Sequence, residues 1–458
     1  MQFPPAFLPS LTGLEGFDQT SFEAVHQSGE QVTSVRLNPS KIKDPSSLAF
    51  YQDIKAPIPW CQQGYYLNKR PSFTFDPLLH AGCYYVQEAS SMFMEQALKQ
   101  TVNTNEPLKV LDLCAAPGGK STHLQSLISQ DSLLVSNEII QTRANILTDN
   151  IMRWGSTNTI VTRNDPSNFS RLGSLFDVIV VDAPCSGSGL FRRDRDAMKE
   201  WSVANVELCC QRQQKILTDV WPALKEGGVL IYSTCSYSKE EDEDIMNWLM
   251  DSFPVENLSI QIPTGVDIVQ TITHEKQAAG YRFYPDKIQG EGFFISCFRK
   301  LEGNEHHQQK RPKKIEMARP ADQEVLKSWI TEKDMSFFPF FDKMTAIPGN
   351  LVNDYAVLST ILNIRYAGVL MGELIRGKLV PHHALALSLI VNDSINRIPL
   401  DREAAINYLQ RKEIKAGTEK KGWQLVTYNE HNLGWVNVLP NRINNYYPKE
   451  LRILKEFE

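Results

Sequence analysis

Short runs of apolar residues alternate with helical patterns between about residues 108 and 299, and this alternation constrains the fold most strongly. Each run is rich in β-branched or aliphatic residues, as expected of a strand buried on both faces. Strands are predicted near residues 108–113, 132–138, 158–163, 176–182 and 228–234. Strands that alternate with helices are typical of a parallel, doubly wound sheet. The sequence therefore predicts an α/β protein with a Rossmann-like domain, whose ligands bind at the carboxyl ends of the strands.

The chain has 458 residues, which is more than one hydrophobic core usually accommodates, so roughly two to four domains are expected. A proline-rich beginning predicts a small α+β lobe before the alternating region. A polar stretch without apolar periodicity follows Lys300 and predicts a linker. Beyond it come a mixed segment and a terminal segment with short strands around turns. The predicted divisions are 1–105, 106–300, 301–318, 319–389 and 390–458.

Composition narrows the class of protein. Because the chain has neither a signal-peptide pattern nor a run of about 18 apolar residues, we expect a soluble cytoplasmic protein without a membrane partner. The 8 cysteines include no Cys-x-x-Cys pair, which favours free thiols. The histidine pairs at 306–307 and 382–383 lack cysteine or acidic partners, so exposed histidines and no metal site are expected. A net charge of −5 argues against a generally basic surface, although a local patch can still bind phosphate.

A loop of small residues follows the first predicted strand. Backbone amides in such a strand-to-helix loop point into the cleft, and small residues let a ligand approach closely. The end of the loop imitates a phosphate-binding P-loop, but that motif requires glycine where this chain has Cys114. The candidate ligand-binding residues of the loop are Cys114, Ala115, Ala116, Pro117, Gly118, Gly119 and Lys120.

Acidic residues stand at the ends of the next three strands, at Glu138, Asp165 and Asp182. In dinucleotide-binding folds, an acid after the second strand accepts hydrogen bonds from a ribose diol. The three acids are therefore candidates for ribose, base and amino-group contacts to one adenosine-bearing ligand. Any one of them alone is more often a solvated loop residue.

Two cysteines, Cys185 and Cys235, follow the fourth and fifth strands. If these strands are neighbours, the thiols converge, because adjacent strands lie only about 5 Å apart. A thiolate can add to C6 of a pyrimidine and make C5 nucleophilic enough to accept a methyl group. A helix predicted to begin at Ser238, with Glu241 completing a capping box, favours negative charge on Cys235. The alternative is that both are ordinary buried cysteines.

Three segments carry a resemblance to a known family: residues 114–120, residues 182–189 and residues 233–237. In this order and spacing they resemble the signature segments of the Sun-type family of RNA cytosine-5 methyltransferases. Residues 87–91 also match, so the resemblance extends over residues 1 to about 300. Residues 281–294 and the long C-terminal extension resemble the branch of bacterial small-subunit ribosomal RNA methyltransferases called F.

The resemblance implies both a cofactor and a role for each site residue. The loop and the three acids would bind S-adenosylmethionine, Cys235 would be the nucleophile, and Cys185 would assist release of the product. Asp182 and Lys120 would lie near the target base. The implied reaction is methylation of C5 of a cytidine in small-subunit ribosomal RNA through a covalent cysteine–C6 adduct.

Several alternatives remain open at this level. DNA cytosine-5 methyltransferases attack with the cysteine of their Pro-Cys segment, here Cys185, and residue chemistry alone does not separate the two assignments. Transfer RNA is a rival substrate. A noncatalytic RNA-binding assembly factor that keeps the fold is a rival of a different class, disfavoured by the presence of both cysteines and all three acids. A P-loop nucleotidase is disfavoured by Cys114.

Clustered cations mark candidate RNA contacts, since they supply the salt-dependent attraction to phosphate. Arg192 and Arg193 follow Cys185 closely, residues 281–287 include Arg282, and the linker contains Lys310 and Arg311. The N-terminal lobe is a candidate for RNA recognition, and the terminal segment resembles a PUA-type RNA-binding domain. The expected partner is small-subunit ribosomal RNA or the assembling subunit, and the oligomeric state stays open.

Overall fold

The structure is a computed structural model that describes residues 3–303, 312–414 and 420–457. Lys310, Arg311 and the histidine pair at 306–307 lie outside the described residues. Within the described ranges, no helix is both long and apolar enough to cross a membrane.

The N-terminal segment forms a small α+β lobe, as the sequence predicts. Its antiparallel sheet has the strand order β2-β3-β1-β4. Asp18 caps the second helix by accepting a hydrogen bond from the backbone N–H of Ser21. The elements are α1 (Phe7–Leu11), α2 (Gln19–Gln27), β1 (Thr33–Leu37), β2 (Ile54–Pro57), β3 (Gly64–Leu67), α3 (Pro77–His80), β4 (Tyr84–Val86) and α4 (Met94–Thr101).

The five predicted strands are all present and form the parallel part of a large central sheet, in the order β7-β6-β5-β8-β9. Their bounds agree closely with the apolar runs of the sequence. The elements of this part are β5 (Lys109–Asp112), α5 (Gly119–Leu127), β6 (Leu133–Asn137), α6 (Gln141–Trp154), β7 (Thr159–Thr162), β8 (Phe176–Asp182), α7 (Arg195–Glu200), α8 (Val203–Val220), β9 (Leu224–Thr234) and α9 (Glu243–Ser252).

Alternate residues of the central strands enter opposite hydrophobic layers. Leu111, Val135 and Ile179 belong to one core cluster, whereas Val110 and Val178 belong to the other. Successive side chains of a strand point to opposite faces, so a strand covered on both faces is apolar throughout. This two-sided burial explains the continuous apolar runs and holds the strand ends rigidly.

The sheet is mixed rather than purely parallel, which corrects the prediction. Beyond β9 it continues through antiparallel strands, with β13 beside β9, β12 beside β13 and β11 at the edge, while β10 pairs with another part of β13. These strands alternate less regularly with helices, so the sequence pattern did not reveal them. They are β10 (Val255–Leu258), β11 (Val269–Ile272), β12 (Ala279–Phe283) and β13 (Phe293–Lys300).

The segment after residue 318 adds a four-stranded sheet, β14-β15-β17-β18, and a strand to the central sheet, since β16 pairs antiparallel with β7. The intermediate segment is thus built into the same sheet as the predicted ligand loop. Its elements are α10 (Pro320–Lys327), β14 (Met335–Phe340), β15 (Lys343–Pro348), α11 (Val352–Ile361), β16 (Ile364–Ala367), β17 (Val369–Ile375), β18 (Lys378–Pro381) and α12 (His383–Leu387).

The terminal segment forms a separate sheet, β19-β20-β21-β22, that packs on the N-terminal lobe. Val35 and Tyr84 of the lobe share a core cluster with Tyr408 and Val436. Its elements are β19 (Arg397–Pro399), α13 (Arg402–Leu409), β20 (Gly422–Tyr428), β21 (His431–Leu439) and β22 (Arg442–Asn445).

His383 corrects the expectation that this histidine pair is exposed. Its side chain is buried, and its ring lies edge-on to Tyr447. Neither ring nitrogen has a hydrogen-bond partner among the described residues. Burial lowers the pKa of His383 to about 3, with the charges of neighbouring basic groups adding to the effect.

Candidate active site

The candidate site lies where the order of the parallel strands reverses. From β5 the chain first adds β6 and β7 on one side and then β8 and β9 on the other, which leaves a crevice at the carboxyl ends of β5 and β8. Cys114 follows β5 and Cys185 follows β8, whereas Cys235 comes directly after β9. In the β8–β9 register, Asp182 lies opposite Ser233. The fold therefore brings both thiols and Asp182 to one edge of the sheet.

The two thiols are in direct contact, with 3.0 Å between the Sγ atoms of Cys185 and Cys235. The loops that carry them are joined through backbone, because the N–H of Gly189 donates to the carbonyl of Cys235 at 2.9 Å. A Cβ at Gly189 would lie 2.7 Å from that carbonyl oxygen, so only glycine allows this approach. Two nucleophilic sulfurs at one point are the central chemical feature of the site.

Lys120 and Asp182 form an ion pair beside the thiols, with 2.8 Å between Nζ and Oδ2. Ser233 donates to the other oxygen of Asp182 at 2.9 Å. Burial alone would lower the pKa of Lys120, but the Asp182 carboxylate and the nearby Cys235 raise it overall. Lys120 therefore stays an ammonium group at neutral pH and supplies positive charge close to Cys235.

The charges around the two thiols differ in sign. The pKa of Cys185 is raised well above its usual range by the hydrogen bond to Cys235, by burial and by the negative charge of Glu241. Cys235 faces the Lys120 ammonium instead. A cation stabilises a neighbouring thiolate, whereas an anion opposes one. The negative charge of Glu241 therefore opposes a thiolate at Cys185.

A cavity of about 510 Å³ opens at the ends of β5, β6 and β7, and Pro184, the residue before Cys185, forms part of its wall. Carboxylates and apolar side chains alternate around it, which suits a ligand with a polar ribose and a flat base. The lining residues include Leu113, Cys114, Asn137, Glu138, Ile139, Ile140, Arg143, Asp165, Pro166 and Pro184. Cys114 is neutral there, because burial raises the pKa of its thiol.

The hydrogen bonding of Asp112 indicates whether the site suits an adenosine-bearing cofactor. Its side chain is fully buried, Ser121 donates to Oδ2 at 2.6 Å, and Oδ1 has no partner among the described residues. Burial raises the pKa of Asp112 to about 7, and the carboxylate of Asp182 adds to the increase. A buried acceptor without a donor is costly unless a ligand supplies one. The unpaired oxygen and the acids Glu138 and Asp182 fit a ligand with amino and hydroxyl donors.

Helix α6 holds the loop 114–120 from outside. Arg143 donates to the carbonyl of Ala116 at 2.9 Å, and Asn150 donates to that of Pro117 at 2.8 Å. Gly118 has a φ of +114°, which turns the chain into α5. Helix α6 therefore fixes the backbone of this loop, and Cys114 at its start lines the cavity.

The predicted helix start at Ser238 is wrong. Residues Lys239–Glu241 form a single 3-10 turn, and α9 begins at Glu243. Ser238 makes no side-chain capping hydrogen bond, and Glu241 instead accepts hydrogen bonds from Ser186 and Ser236. Local spacing favoured the capping box, but the Glu241 carboxylate instead binds the nearby Ser236 and Ser186, which lies 55 positions away in the chain.

Of the described RNA candidates, Arg193 is exposed and free to meet phosphate. The Arg192 side chain is only 5% exposed and donates to the carbonyls of Glu30 and Gly290. Arg282 is buried in an ion pair with Glu243 and does not form part of a basic surface. Its sequence context suggested a cation patch, but tertiary contacts use the charge internally.

Cys61, Glu95 and His123 form a buried group whose ligand atoms lie within 4.8 Å of one another. Two cations oppose metal binding there. Lys99 pairs with Glu95 at 2.6 Å, and the buried Arg36 lies near enough to both Glu95 and Cys61 to be affected by their charges. His123 lies 3.1 Å from the other Glu95 oxygen, so the group is a hydrogen-bonded ion-pair network.

Sequence reasoning missed three site residues: Asp112, Arg143 and Glu241. Asp112 ends a strand as Asp182 does, so the same strand-end pattern points to it. Arg143 gives no signal before the position of α6 is known. Glu241 was noticed, but its role depends on a loop 55 positions away.

Comparison with known proteins adds the family. The family described as "16S rRNA methyltransferase RsmB/F" matches residues 99–299. The "N-terminal domain of 16S rRNA methyltransferase RsmF" matches residues 3–89, and the "Methyltransferase RsmF PUA domain" matches residues 395–453. The three matches follow the order of the lobes in the structure.

Two curated relatives are similar over almost their whole length, and both are named "Ribosomal RNA small subunit methyltransferase F". The protein from Psychromonas ingrahamii is 30% identical, over 98% of this chain and 97% of its own. The protein from Shewanella loihica is also 30% identical, over 91% of this chain and 88% of its own.

Solved structures share the fold. A methyltransferase homologue from Pyrococcus horikoshii is 28% identical, with a TM-score of 0.52 over 65% of this chain and 100% of its own. NSun6 from the same organism, 19% identical, gives a TM-score of 0.54 over 66% of this chain and 99% of its own. This chain therefore belongs to the 16S rRNA methyltransferase RsmB/F family, and it is an RNA methyltransferase that uses S-adenosylmethionine.

Proposed function

We propose that this protein methylates C5 of a cytidine in small-subunit ribosomal RNA through a covalent adduct between Cys235 and C6. The contact of 3.0 Å between the Cys185 and Cys235 sulfurs carries the proposal, and Pro184, the residue before Cys185, lines the proposed cofactor cavity. S-adenosylmethionine supplies the methyl group as a sulfonium. The Cys235 thiolate adds to C6, C5 takes the methyl group, loss of the C5 proton restores the double bond, and the thiolate leaves.

The surrounding charges support Cys235 as the attacking thiol. Lys120 and Cys235 interact electrostatically, so the ammonium stabilises negative charge there. The pKa of Cys185 is raised by its hydrogen bond to Cys235, by burial and by the charge of Glu241, which favours the protonated thiol. A neutral Cys185 in contact with the adduct sulfur can donate a hydrogen bond as the Cys235 thiolate is expelled. This arrangement agrees with the roles that the family resemblance implies.

Asp182 and Lys120 are the proposed groups for positioning the base and moving its proton. Their ion pair lies at the end of β8, between the cofactor loop and the thiols. A carboxylate held in this way can accept hydrogen bonds from an exocyclic amino group, and the ammonium can donate to a carbonyl oxygen. Glu138, Asp165 and the loop from Cys114 to Gly119 are proposed to bind the cofactor.

Small-subunit ribosomal RNA is the proposed substrate because the curated relatives carry that substrate in their names. The target cytidine must leave its base stack to reach the thiols, at a cost of a few kcal/mol. We propose that the N-terminal lobe and the terminal PUA segment hold the RNA around that cytidine, with Arg193 contacting phosphate near the site. Transfer RNA is the rival substrate.

A methyl-transfer assay tests the reaction and the substrate together. The protein is incubated with S-adenosylmethionine labelled in the methyl group and with unmodified ribosomal RNA, small subunits or transfer RNA, and the product nucleosides are separated. We expect label in 5-methylcytidine of ribosomal RNA or of the small subunit. Label only in transfer RNA would show that transfer RNA is the substrate. Label in another nucleoside would contradict methylation at C5 of cytidine, and no label in any RNA would favour a noncatalytic factor.

A pair of cysteine variants tests the two roles. Cys235→Ala removes the nucleophile and should abolish methyl transfer, whereas Cys185→Ala should leave a covalent protein–RNA adduct that resists denaturation. The adduct is measured as a shifted band on a denaturing gel. Cys210→Ala, at a half-buried position of α8 away from the two cysteine loops, is the matched control and should make no adduct and methylate as wild type does. An adduct in Cys235→Ala would reverse the assignment.

A further inference from the structure

A single buried carboxylate, that of Glu241, joins the two cysteine loops. Its Oε2 accepts hydrogen bonds from the hydroxyls of Ser186 at 2.5 Å and Ser236 at 2.6 Å. Its Oε1 accepts from the backbone N–H of Ser186 at 2.8 Å. Ser186 directly follows Cys185, and Ser236 directly follows Cys235. The same side chain therefore holds the residue next to each thiol.

Two further side chains fix the position of Glu241 itself. Gln213 of α8 donates to Oε1 at 3.1 Å and to the carbonyl of Pro184, the residue before Cys185, at 3.1 Å. Tyr232 of β9 donates to the Glu241 carbonyl at 2.6 Å. The carboxylate is thus attached to α8, to β9 and to both loops.

We propose that Glu241 is a positioning residue that sets the distance and direction of the two thiols. Hydrogen bonds to a buried carboxylate are shorter and stronger than neutral ones, so they hold a loop more firmly than a serine–serine contact would. The loops follow different strands, and Ser188 also joins them by accepting a hydrogen bond from the backbone N–H of Tyr237 at 2.9 Å. Glu241 is the charged group that binds both loops, through Ser186 and Ser236. The inference rests on the proposed cysteine chemistry, in which the Cys235 sulfur attacks and the Cys185 sulfur assists its departure.

Neighbouring acids have other tasks. Asp242 accepts a hydrogen bond from Thr234 and pairs with Arg282, and Glu243 also pairs with Arg282. Glu240 is exposed on the same turn. Glu240→Gln is therefore a matched control for Glu241→Gln, since it makes the same chemical change one residue away.

The first test measures how readily the two thiols form a disulfide and does not require catalysis. Diamide, an azo compound, takes two electrons and two protons from the thiols and becomes a hydrazine, while Cys185 and Cys235 become one disulfide. Thiols held in contact have a high effective concentration. In Glu241→Gln, an amide NH₂ replaces one of the oxygens that accept hydrogen bonds from Ser186 and Ser236. Because two donors cannot bond to each other, the loops should separate and the disulfide should form about tenfold more slowly. The disulfide is identified by mass spectrometry of unreduced peptides.

The second test is the kinetic pattern of methyl transfer. Glu241→Gln should lower kcat by about tenfold or more, whereas KM for S-adenosylmethionine should stay within about twofold, because the cofactor cavity does not include this residue. Ser236→Ala removes one hydrogen bond and leaves the others, so its effect should be smaller in both tests. Glu240→Gln should match wild type in both.

The outcomes separate this inference from the proposed reaction. A folded Glu241→Gln protein that forms the disulfide as fast as wild type, or faster, overturns the positioning role. If Glu241→Gln fails to fold, Ser236→Ala replaces it in both tests. An unchanged rate of disulfide formation and an unchanged kcat in Ser236→Ala would then overturn the positioning role. If Glu241→Gln forms the disulfide more slowly but the wild type makes no 5-methylcytidine, the positioning role stands and the proposed reaction is wrong.

Discussion

At the scale of single residues, opposite charges distinguish two chemically identical side chains. The sulfurs of Cys185 and Cys235 are in contact. The positive charge of Lys120 acts on Cys235, and the negative charge of Glu241 raises the pKa of Cys185. Charge within a few ångströms changes which of two coupled groups carries the proton. This asymmetry of charge is the physical basis for proposing Cys235 as the attacking thiol.

Removing the lysine should weaken this asymmetry. In Lys120→Met the Cys235 thiolate loses its neighbouring cation, so alkylation of Cys235 by iodoacetamide at about pH 7 should slow by about tenfold. Methyl transfer should fall by about a hundredfold or more, since the group proposed to position the base is lost as well. The alkylated residue is identified by peptide mass spectrometry.

Lys199→Met is the control for this change, because Lys199 is an exposed lysine of α7 that pairs with Asp196. It should leave both rates unchanged. If Cys185 rather than Cys235 is alkylated first in the wild type, the charges do not direct reactivity in the way proposed here.

At the scale of secondary structure, β16 links the C-terminal part of the chain to the loop of residues 114–120. This strand pairs with β7, and its Tyr366 is buried in a cluster with Ala115 and Ala116. An edge strand of the parallel sheet is thereby covered, which removes unpaired backbone groups from solvent. The loop proposed to bind the cofactor is consequently supported by residues about 250 positions later in the chain.

Truncating that support should destabilise the protein. Tyr366→Ala removes a buried aromatic ring and leaves a cavity, so the free energy of unfolding should fall by about 3–5 kcal/mol. The affinity for S-adenosylmethionine should also fall, because Ala115 and Ala116 lose a packing partner. Urea denaturation and calorimetric titration measure the two effects. Arg365→Ala, at the exposed neighbouring position of β16, should change neither; equal effects of the two variants would contradict this account.

At the scale of the whole molecule, Lys41 joins three parts of the chain. Its ammonium group donates to the carbonyls of Ala81 in the N-terminal lobe, Arg153 in α6 and Leu387 in α12, at 2.7, 2.8 and 2.8 Å. The terminal sheet packs on the same lobe through a shared hydrophobic cluster. The lobes proposed to bind RNA are therefore attached to the catalytic domain and to each other.

Buried histidines should make the stability of the protein depend on pH. Burial lowers the pKa of His26 and His123 to about 4 and that of His383 to about 3, from an ordinary value of 6.5. Below pH 6.5 the unfolded chain binds protons at these histidines that the folded chain refuses, so their contribution to the free energy of unfolding should fall as the pH decreases from 6.5 towards 4. The buried carboxyls of Asp112 and Glu291, whose pKa is raised to about 7, act in the opposite direction. Each unit of pKa difference corresponds to about 1.4 kcal/mol.

Urea denaturation at about pH 7 and about pH 5 measures this dependence. His383→Phe should reduce the loss of stability between the two pH values, since it removes one of the buried proton acceptors. His274→Phe, which changes an exposed histidine, should leave the loss as in wild type. An equal reduction in both variants would show that buried histidines are not the cause.

Local patterns predicted what depends on local physics. The bounds of β8 match those predicted, and each of the other parallel strands begins and ends within a few residues of its predicted bounds. The agreement arises because a strand buried on both faces requires a continuous apolar run. The antiparallel strands β10 to β13 and the pairing of β16 escaped prediction. Their partners are set by contacts with distant segments, which leave no regular period in the sequence.

The sequence by itself determined the parallel α/β core, the small-residue loop from Cys114 to Lys120, and the placement of acids and thiols at strand ends. Each of these follows from residues next to one another in the chain. Only the tertiary structure decided that the two sulfurs touch, that Glu241 joins their loops, and that Arg282 and His383 are buried. Hydrogen bonds and burial between segments far apart in sequence depend on how the whole chain packs, and no local pattern encodes them.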